Sequence, residues 1–275
     1  GAGDIVVTGA IDGAKALSLS AGTGAITLSG AVGQSTRLGA LTLNSSGTTT
    51  LAQSVKAASV TSNADGTLRI NGGSVDTTGA QTYGEAITLG ANTTLTGTTI
   101  NTQSTLAGGN NALTITGAAD IDGAFTGITN LSISGTSNIG ANVTTTGTQT
   151  YTGAVTLSGG DRTLTGTTIN TQSTLAGGSN ALTITGAADI DGAFSGLTAL
   201  SVSGTSNIGA NVTTTGTQTY SGAVTVSAAS TLSTSNSDVT LGSSLTLADN
   251  LTITTGAGAG DIVVTGAIDG AKALS

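Results

Sequence analysis

Four aspartates are the residues of this chain best placed to do chemistry. Asp120 and Asp122 lie in the heptapeptide AADIDGA, and the same seven residues return around Asp189 and Asp191. In an extended strand the intervening Ile121 or Ile190 points to one face and both carboxylates to the other. Two carboxylates on one face suit Ca²⁺, a hard cation that takes carboxylate and carbonyl oxygens. The competing reading is a solvated corner whose charge keeps the protein dispersed. A catalytic carboxylate pair needs a cleft and one raised pKa, and a strand edge offers neither. Calcium is the one cofactor these residues put forward.

Other chemistry lacks its parts. The chain holds no histidine and no cysteine. Nucleophile–imidazole arrangements, thiolate metal sites and disulfides are therefore excluded. Arg37, Arg69 and Arg162 stand apart, with Arg162 beside Asp161 as a local pair, so the clustered charges of a polysaccharide lyase are missing. No enzyme is expected. The stretch GAGAGDIVV at 256–264 has the glycine and aspartate of calcium-binding nonapeptides, but a single such segment builds no stacked half-sites and reads as turn chemistry. Threonine runs at 48–50, 144–146 and 213–215, with LTGTT at 95–99 and 164–168, raise binding of ice. Against this, threonine fills outward strand positions readily, and the runs lie several coils apart. Asn-x-Ser/Thr triplets at Asn44, Asn92, Asn130, Asn142, Asn211 and Asn250 are expected by chance at this composition.

Composition narrows the partners. The formal charge is −8 with only six basic residues, which leaves no patch for nucleic acid. No apolar run is long enough to span a membrane as a helix. Three tyrosines and two phenylalanines cannot furnish the aromatic girdles of a membrane barrel. There is no proline, and charged residues are 7%, while 37% of the chain is apolar, mostly small aliphatics spread evenly. Even spacing of that apolar content argues against disorder.

Repeats dominate the organisation. Residues 1–18 (GAGDIVVTGAIDGAKALS) return unchanged as 258–275, so 1–257 reads as one unit and 258–275 as the start of the next. Inside it, 95–158 recurs at 164–227 with seven substitutions. These are Asn110 to Ser179, Thr126 to Ser195, Ile128 to Leu197, Asn130 to Ala199, Ile133 to Val202, Thr152 to Ser221 and Leu157 to Val226. Three of the seven exchange one aliphatic for another of similar volume, the change a packed core tolerates best. The internal units fall at about 77–94, 95–163 and 164–232, the first being a diverged copy. Gly1 starts within a repeat, so any export signal is expected outside this window.

The elements that must position these residues are short strands. Leu17-Ser18-Leu19, Ile26-Thr27-Leu28, Leu113-Thr114-Ile115 and Val155-Thr156-Leu157 alternate with period two between glycines. A recurring set of such strands without aromatics predicts a parallel β-solenoid rather than a sandwich. The expected fold is all-β, a right-handed parallel β-helix of about 12 coils of roughly 18–24 residues, uncapped at both ends, with the hand taken from the crossover rule. Three coils of about 23 residues per 69-residue repeat are expected. Asn101, Asn170, Asn138 and Asn207 at equivalent corners are expected to join side-chain ladders with partners from intervening coils. Tyr83, Tyr151 and Tyr220 are expected not to touch.

The runs TTTGTQTYTGAVTLSG, STRLGALTLNSSGTTT and LTGTTINTQSTLAGG resemble the giant secreted bacterial β-strand-repeat proteins. Those are similar to filamentous haemagglutinin-type adhesins of two-partner secretion or autotransport. The resemblance covers essentially the whole chain. It implies a stiff extracellular filament at the bacterial surface, serving adhesion, biofilm matrix or sheath. Its partners would be itself, head-to-tail, and a surface or matrix polysaccharide. The alternative is a ligand-binding solenoid that presents an exposed Thr/Asn face to ice or polysaccharide.

Overall fold

The computed structural model describes residues 3–275. Among them are thirty strands of 3 to 16 residues and no helix, hence none long and apolar enough to cross a membrane. The chain divides into two compact units, Gly1–Gly135 and Thr136–Ser275, each a stack of parallel strands.

In the first unit three columns of paired residues repeat coil after coil. One contains Ile5, Ile26, Thr49, Leu68, Ile87, Leu106 and Phe125. A second contains Ile11, Val32, Val55, Val75, Leu95, Ile115 and Ile133. The third contains Leu17, Leu41, Val60, Gln81, Ile100 and Ala119. The chain visits the three in turn, so each circuit is a three-sided coil. Period-two alternation sends every second residue of a strand inward, and Ile26, Leu41, Leu68, Ile100 and Phe125 are fully buried. Each such side chain contributes about 1.5–3 kcal/mol on burial.

The second unit follows the same plan. Val143, Leu164, Ile184, Val202, Tyr220 and Leu241 form one column. Tyr151, Thr171, Ile190, Ile208, Val226 and Leu247 form another. Val155, Leu175, Phe194, Val212, Leu232 and Ile253 complete the triangle.

The parallel β-solenoid stands as expected, but its arithmetic differs. Paired residues lie from 17 apart, at Asn111 and Ile128, to 24 apart, at Leu17 and Leu41. About 14 turns result, against the dozen expected. The 69-residue repeat does not close three coils. From Leu95 up to its copy Leu164, one 69-residue step, the chain passes eleven sides, centred on Leu95, Ile100, Leu106, Ile115, Ile121, Phe125, Ile133, Ile139, Val143, Tyr151 and Leu157. Eleven sides make three coils and two further sides. A repeat step therefore carries Tyr151 from its own column to the different column that holds Tyr220. The repeat can stop at a side because all three sides offer the same aliphatic environment.

Glycines at the corners allow one backbone to cross close above another. Gly186 has φ of 132°, and a Cβ there would sit 1.8 Å from the Gly166 carbonyl oxygen. At Gly9 a Cβ would meet nothing within 4 Å. Replacing Gly186 by Ala is expected to destabilise the protein by about 2 kcal/mol or more, whereas Gly9→Ala stays within about 0.5 kcal/mol. Thermal unfolding of the two variants against the parent checks this.

Candidate functional site

Outward side chains form rows because strand register is held from coil to coil. Asn170, Asp189 and Asn207 are successive partners in the second unit. The Asn170 amide donates to one Asp189 carboxylate oxygen at 3.1 Å and the Asn207 amide to the other at 2.8 Å. Asn101 donates in the same way to Asp120 at 2.8 Å. The expected ladder exists, with partners from adjacent coils. Ile121 and Ile190 are fully buried, so each aspartate pair does face outward. Burial, and then the charge of the neighbouring Asp120 or Asp189, pushes the Asp122 and Asp191 carboxyls up. Asn amides thus compete for the very oxygens a Ca²⁺ would take. Among the described residues no three or more acids gather as a metal-holding group.

Hydroxyls make a second kind of row. Thr163, Thr183, Ser201, Thr219 and Thr240 pair in succession, with Thr165 and Thr185 beside them. In the first unit Thr94, Thr114 and Ser132 line up, flanked by Thr96 and Thr116. These rows come from TLT, TIT, SIS and SVS segments, with Thr219 from QTY and Thr240 from VTL, rather than from the threonine runs. In the runs the middle residue, Thr49, Thr145 or Thr214, is buried. Threonine was expected to fill outward positions there, and alternation sends every second one inward instead.

Thr145 and Thr214, though not Thr49, belong to an interior device that sequence reading missed. Thr145 Oγ1 donates to the Gly147 carbonyl at 2.9 Å. Two residues on, Gln149 Nε2 donates to the carbonyls of Val143 at 3.1 Å and Thr165 at 2.8 Å, while its oxygen accepts the Tyr151 hydroxyl at 2.8 Å. Gln81 with Tyr83, and Gln218 with Tyr220, repeat the arrangement. A buried Gln thus staples one corner to the next coil, and each buried Tyr has a partner. Its signal in the sequence was the thrice-repeated TTG-x-QTY.

Corner Asx residues provide a further tie. Asn92, Asn142, Asn211 and Asn250 each accept, through Oδ1, a backbone N–H one coil later, from Ala112, Thr163, Thr231 and Ala273. Four of the triplets attributed to chance thus hold corners together. Asp4, Asp161 and Asp238 do the same for Ala25, Ala181 and Asp261.

The arginines also differ from expectation. Arg37 is not isolated: its guanidinium reaches the Asp76 carboxylate at 2.7 Å. Arg162 does not pair with the Asp161 carboxylate, because that oxygen holds Ala181 and the guanidinium donates to the Ser158 and Asp161 carbonyls. A shallow polar groove in the first unit is lined by Gly22, Thr23, Asn44, Ser46, Asn63 and Asp65.

Glu85 is the one buried acid among the described residues, and neither carboxylate oxygen has a hydrogen-bond partner. Burial pushes its carboxyl up to about 7, with the nearby Ser62 hydroxyl acting weakly in the opposite direction. The aligned copies carry Gly153 and Gly222 at this corner.

Leu245 and Val239 are fully buried, but their partners on the final coil, Ile268 and Ile262, are each 50% exposed. In comparisons with known proteins, no family model matches the chain, and neither does any curated protein or solved structure.

Two outcomes are expected from these sites. Below about pH 4.5 Glu85 is neutral in both folded and unfolded chains. Between about 4.5 and 7 the unfolded chain ionises first, so this residue progressively penalises folding as pH rises. Glu85→Gln is therefore expected to raise the unfolding midpoint at pH 8 and leave it nearly unchanged at pH 4, read by circular dichroism. Gln218→Ala strands the Tyr220 hydroxyl and two carbonyls in the interior. It is expected to cost about 2–3 kcal/mol in denaturant unfolding.

Proposed function

We propose that this chain is one repeat of a structural filament protein. It acts as a stiff β-solenoid at the bacterial cell surface or in the extracellular matrix, continued head-to-tail by further copies of itself. Adhesion, biofilm matrix or sheath are the roles such a filament serves. It performs no catalysis, needs no cofactor, and neither binds nucleic acid nor inserts in a membrane.

The single observation that carries this reading is the duplicated coil. Residues 3–18 lie in the first unit under a following coil, and the identical 260–275 lie in the second unit over a preceding one. One sequence therefore accepts a neighbour on either edge, which is what continuous stacking requires. A head-to-tail contact of this type does not close on itself and builds a filament. The bacterial and extracellular setting follows from the resemblance of the repeats to secreted β-strand-repeat proteins, and is consistent with a chain free of cysteine.

A second reading is favoured by the hydroxyl rows. Threonine and serine repeat at the strand spacing of about 4.8 Å along each row, a regular lattice that suits ice or a polysaccharide.

Negative-stain microscopy of the purified chain is expected to show uniform unbranched fibres that lengthen with concentration. Short particles that never grow, together with thermal hysteresis or retention on a polysaccharide column, would decide for the binding face instead.

A further inference from the structure

The corner that holds Glu85 changes length from one coil to the next. Ser62 on the preceding coil pairs with Tyr83, and Thr67 with Ala86. Four residues, Asn63 to Gly66, therefore span a corner that Gly84 and Glu85 cross alone on the coil that follows. On the other side Tyr83 and Ile87 pair with Thr102 and Leu106, so 103–105 match 84–86 one for one. The surplus of 63–66 lies across the shorter corner. A Cβ at Gly84 would stand 2.6 Å from the Asn63 carbonyl oxygen and 2.9 Å from Ala64 Cα. Glu85 is 1% exposed, whereas Ala64 and Asp65 in the overhang face solvent.

The overhang is held mainly from one side. Asn63 N–H donates to the Leu43 carbonyl at 3.1 Å, Asn63 Oδ1 accepts the Ser45 N–H at 3.0 Å, and Thr67 N–H donates to the Gly47 carbonyl at 3.1 Å. Toward Glu85 the link is a long hydrogen bond, 3.4 Å from Gly84 N–H to the Ser62 carbonyl. Ser62 is itself buried, and its Oγ, like both Glu85 oxygens, has no hydrogen-bond partner. The outer side of the overhang, Asn63 and Asp65, is one wall of the polar groove that Thr23, Asn44 and Ser46 complete.

We propose that the corner 63–66 is a lid over Glu85, shut while the carboxyl carries its proton and lifted when the proton passes to solvent, so that one wall of the groove moves. This goes beyond the filament reading and depends on no part of it. A neutral carboxyl tolerates the dry corner, but an ionised one there has neither water nor a partner. No cation is at hand to compensate it. Asp65 on the lid is an exposed anion, and Arg69 on the strand after the lid points outward between buried Leu68 and Ile70. Tyr83 on the strand before Glu85 is neutral, its hydroxyl pushed further up by burial. Strands 86–89 and 100–102, the corner 103–105 and the stretch 43–49 of the earlier coil carry no charge. Lifting the lid brings water to the carboxylate while the ladder pairs on either flank, Ser62 with Tyr83 and Leu68 with Ile87, stay in place.

The direction with pH follows. In an open corner the carboxyl ionises near its ordinary 4.5, in the shut corner near 7. Opening is therefore unaffected below about pH 4.5, becomes steadily easier between about 4.5 and 7, and levels off above that.

Hydrogen exchange, corrected for the intrinsic effect of pH, tests the lid. From pH 5 to pH 8 the protection of the Ser45, Asn63 and Thr67 amides is expected to fall about tenfold or more. The Thr94 and Thr98 amides, bonded in the same unit to the Gly73 and Gly79 carbonyls, are expected to keep theirs. In Glu85→Gln, and in Glu85→Gly, which installs the residue of the aligned copies, the difference between the two pH values is expected to vanish. Circular dichroism verifies that each variant folds. Lid amides equally protected at both pH values in the parent would overturn the proposal. So would a parallel loss at Thr94 and Thr98, which marks unfolding of the whole unit, or a loss that persists in the folded variants.

Discussion

Everything in this protein rests on the parallel backbone ladder between consecutive coils. A single circuit of about twenty residues loses on the order of 20–40 kcal/mol of backbone entropy and cannot hold its shape alone. Only when its N–H and C=O groups meet those of the coils on either side, and its inward aliphatics meet theirs, does the ordering become affordable in free energy. The absence of proline follows from this, because nearly every strand amide is needed on one edge or the other.

The ladder alone does not fix how the chain turns its corners, and three kinds of side chain do that work. Glycines let backbones cross where a Cβ would collide, as at Gly186. Asx residues outside the corner, such as Asn142 and Asp161, satisfy an amide of the next coil. Gln149 and its equivalents do so from inside. Glu85 departs from this economy, being buried at a corner with its oxygens unpartnered, and it ties the stability of the first unit to pH.

Much of the architecture was legible in the residues. Alternating triplets such as Ile26-Thr27-Leu28 located strands correctly, and equivalent corners marked Asn170 and Asn207 as ladder residues with partners on intervening coils. Coil length was misjudged because a repeat of 69 residues suggests a whole number of turns, and nothing in a one-dimensional pattern says that three sides are interchangeable. The Gln–Tyr staples escaped notice for a related reason: polar residues in a threonine-rich chain read as surface, and only tertiary geometry turns Gln149 inward. Arg37 reaches Asp76 across two coils, a separation at which sequence offers no cue. The aspartate pairs were placed properly on the outer face, but their engagement by asparagine depended on register between coils.

The eleven-sided repeat has a consequence for how such a chain can change in length. Because the copied segment ends on a side and not on a full circuit, each duplication rotates what it carries to another face of the triangle, and three in a row would visit all of them. Genetic slippage by one such segment therefore preserves every rung while redistributing the surface decoration around the axis. The quantum of inheritance and the quantum of winding are decoupled, and a lineage of such solenoids can grow or shrink without ever needing to complete a turn.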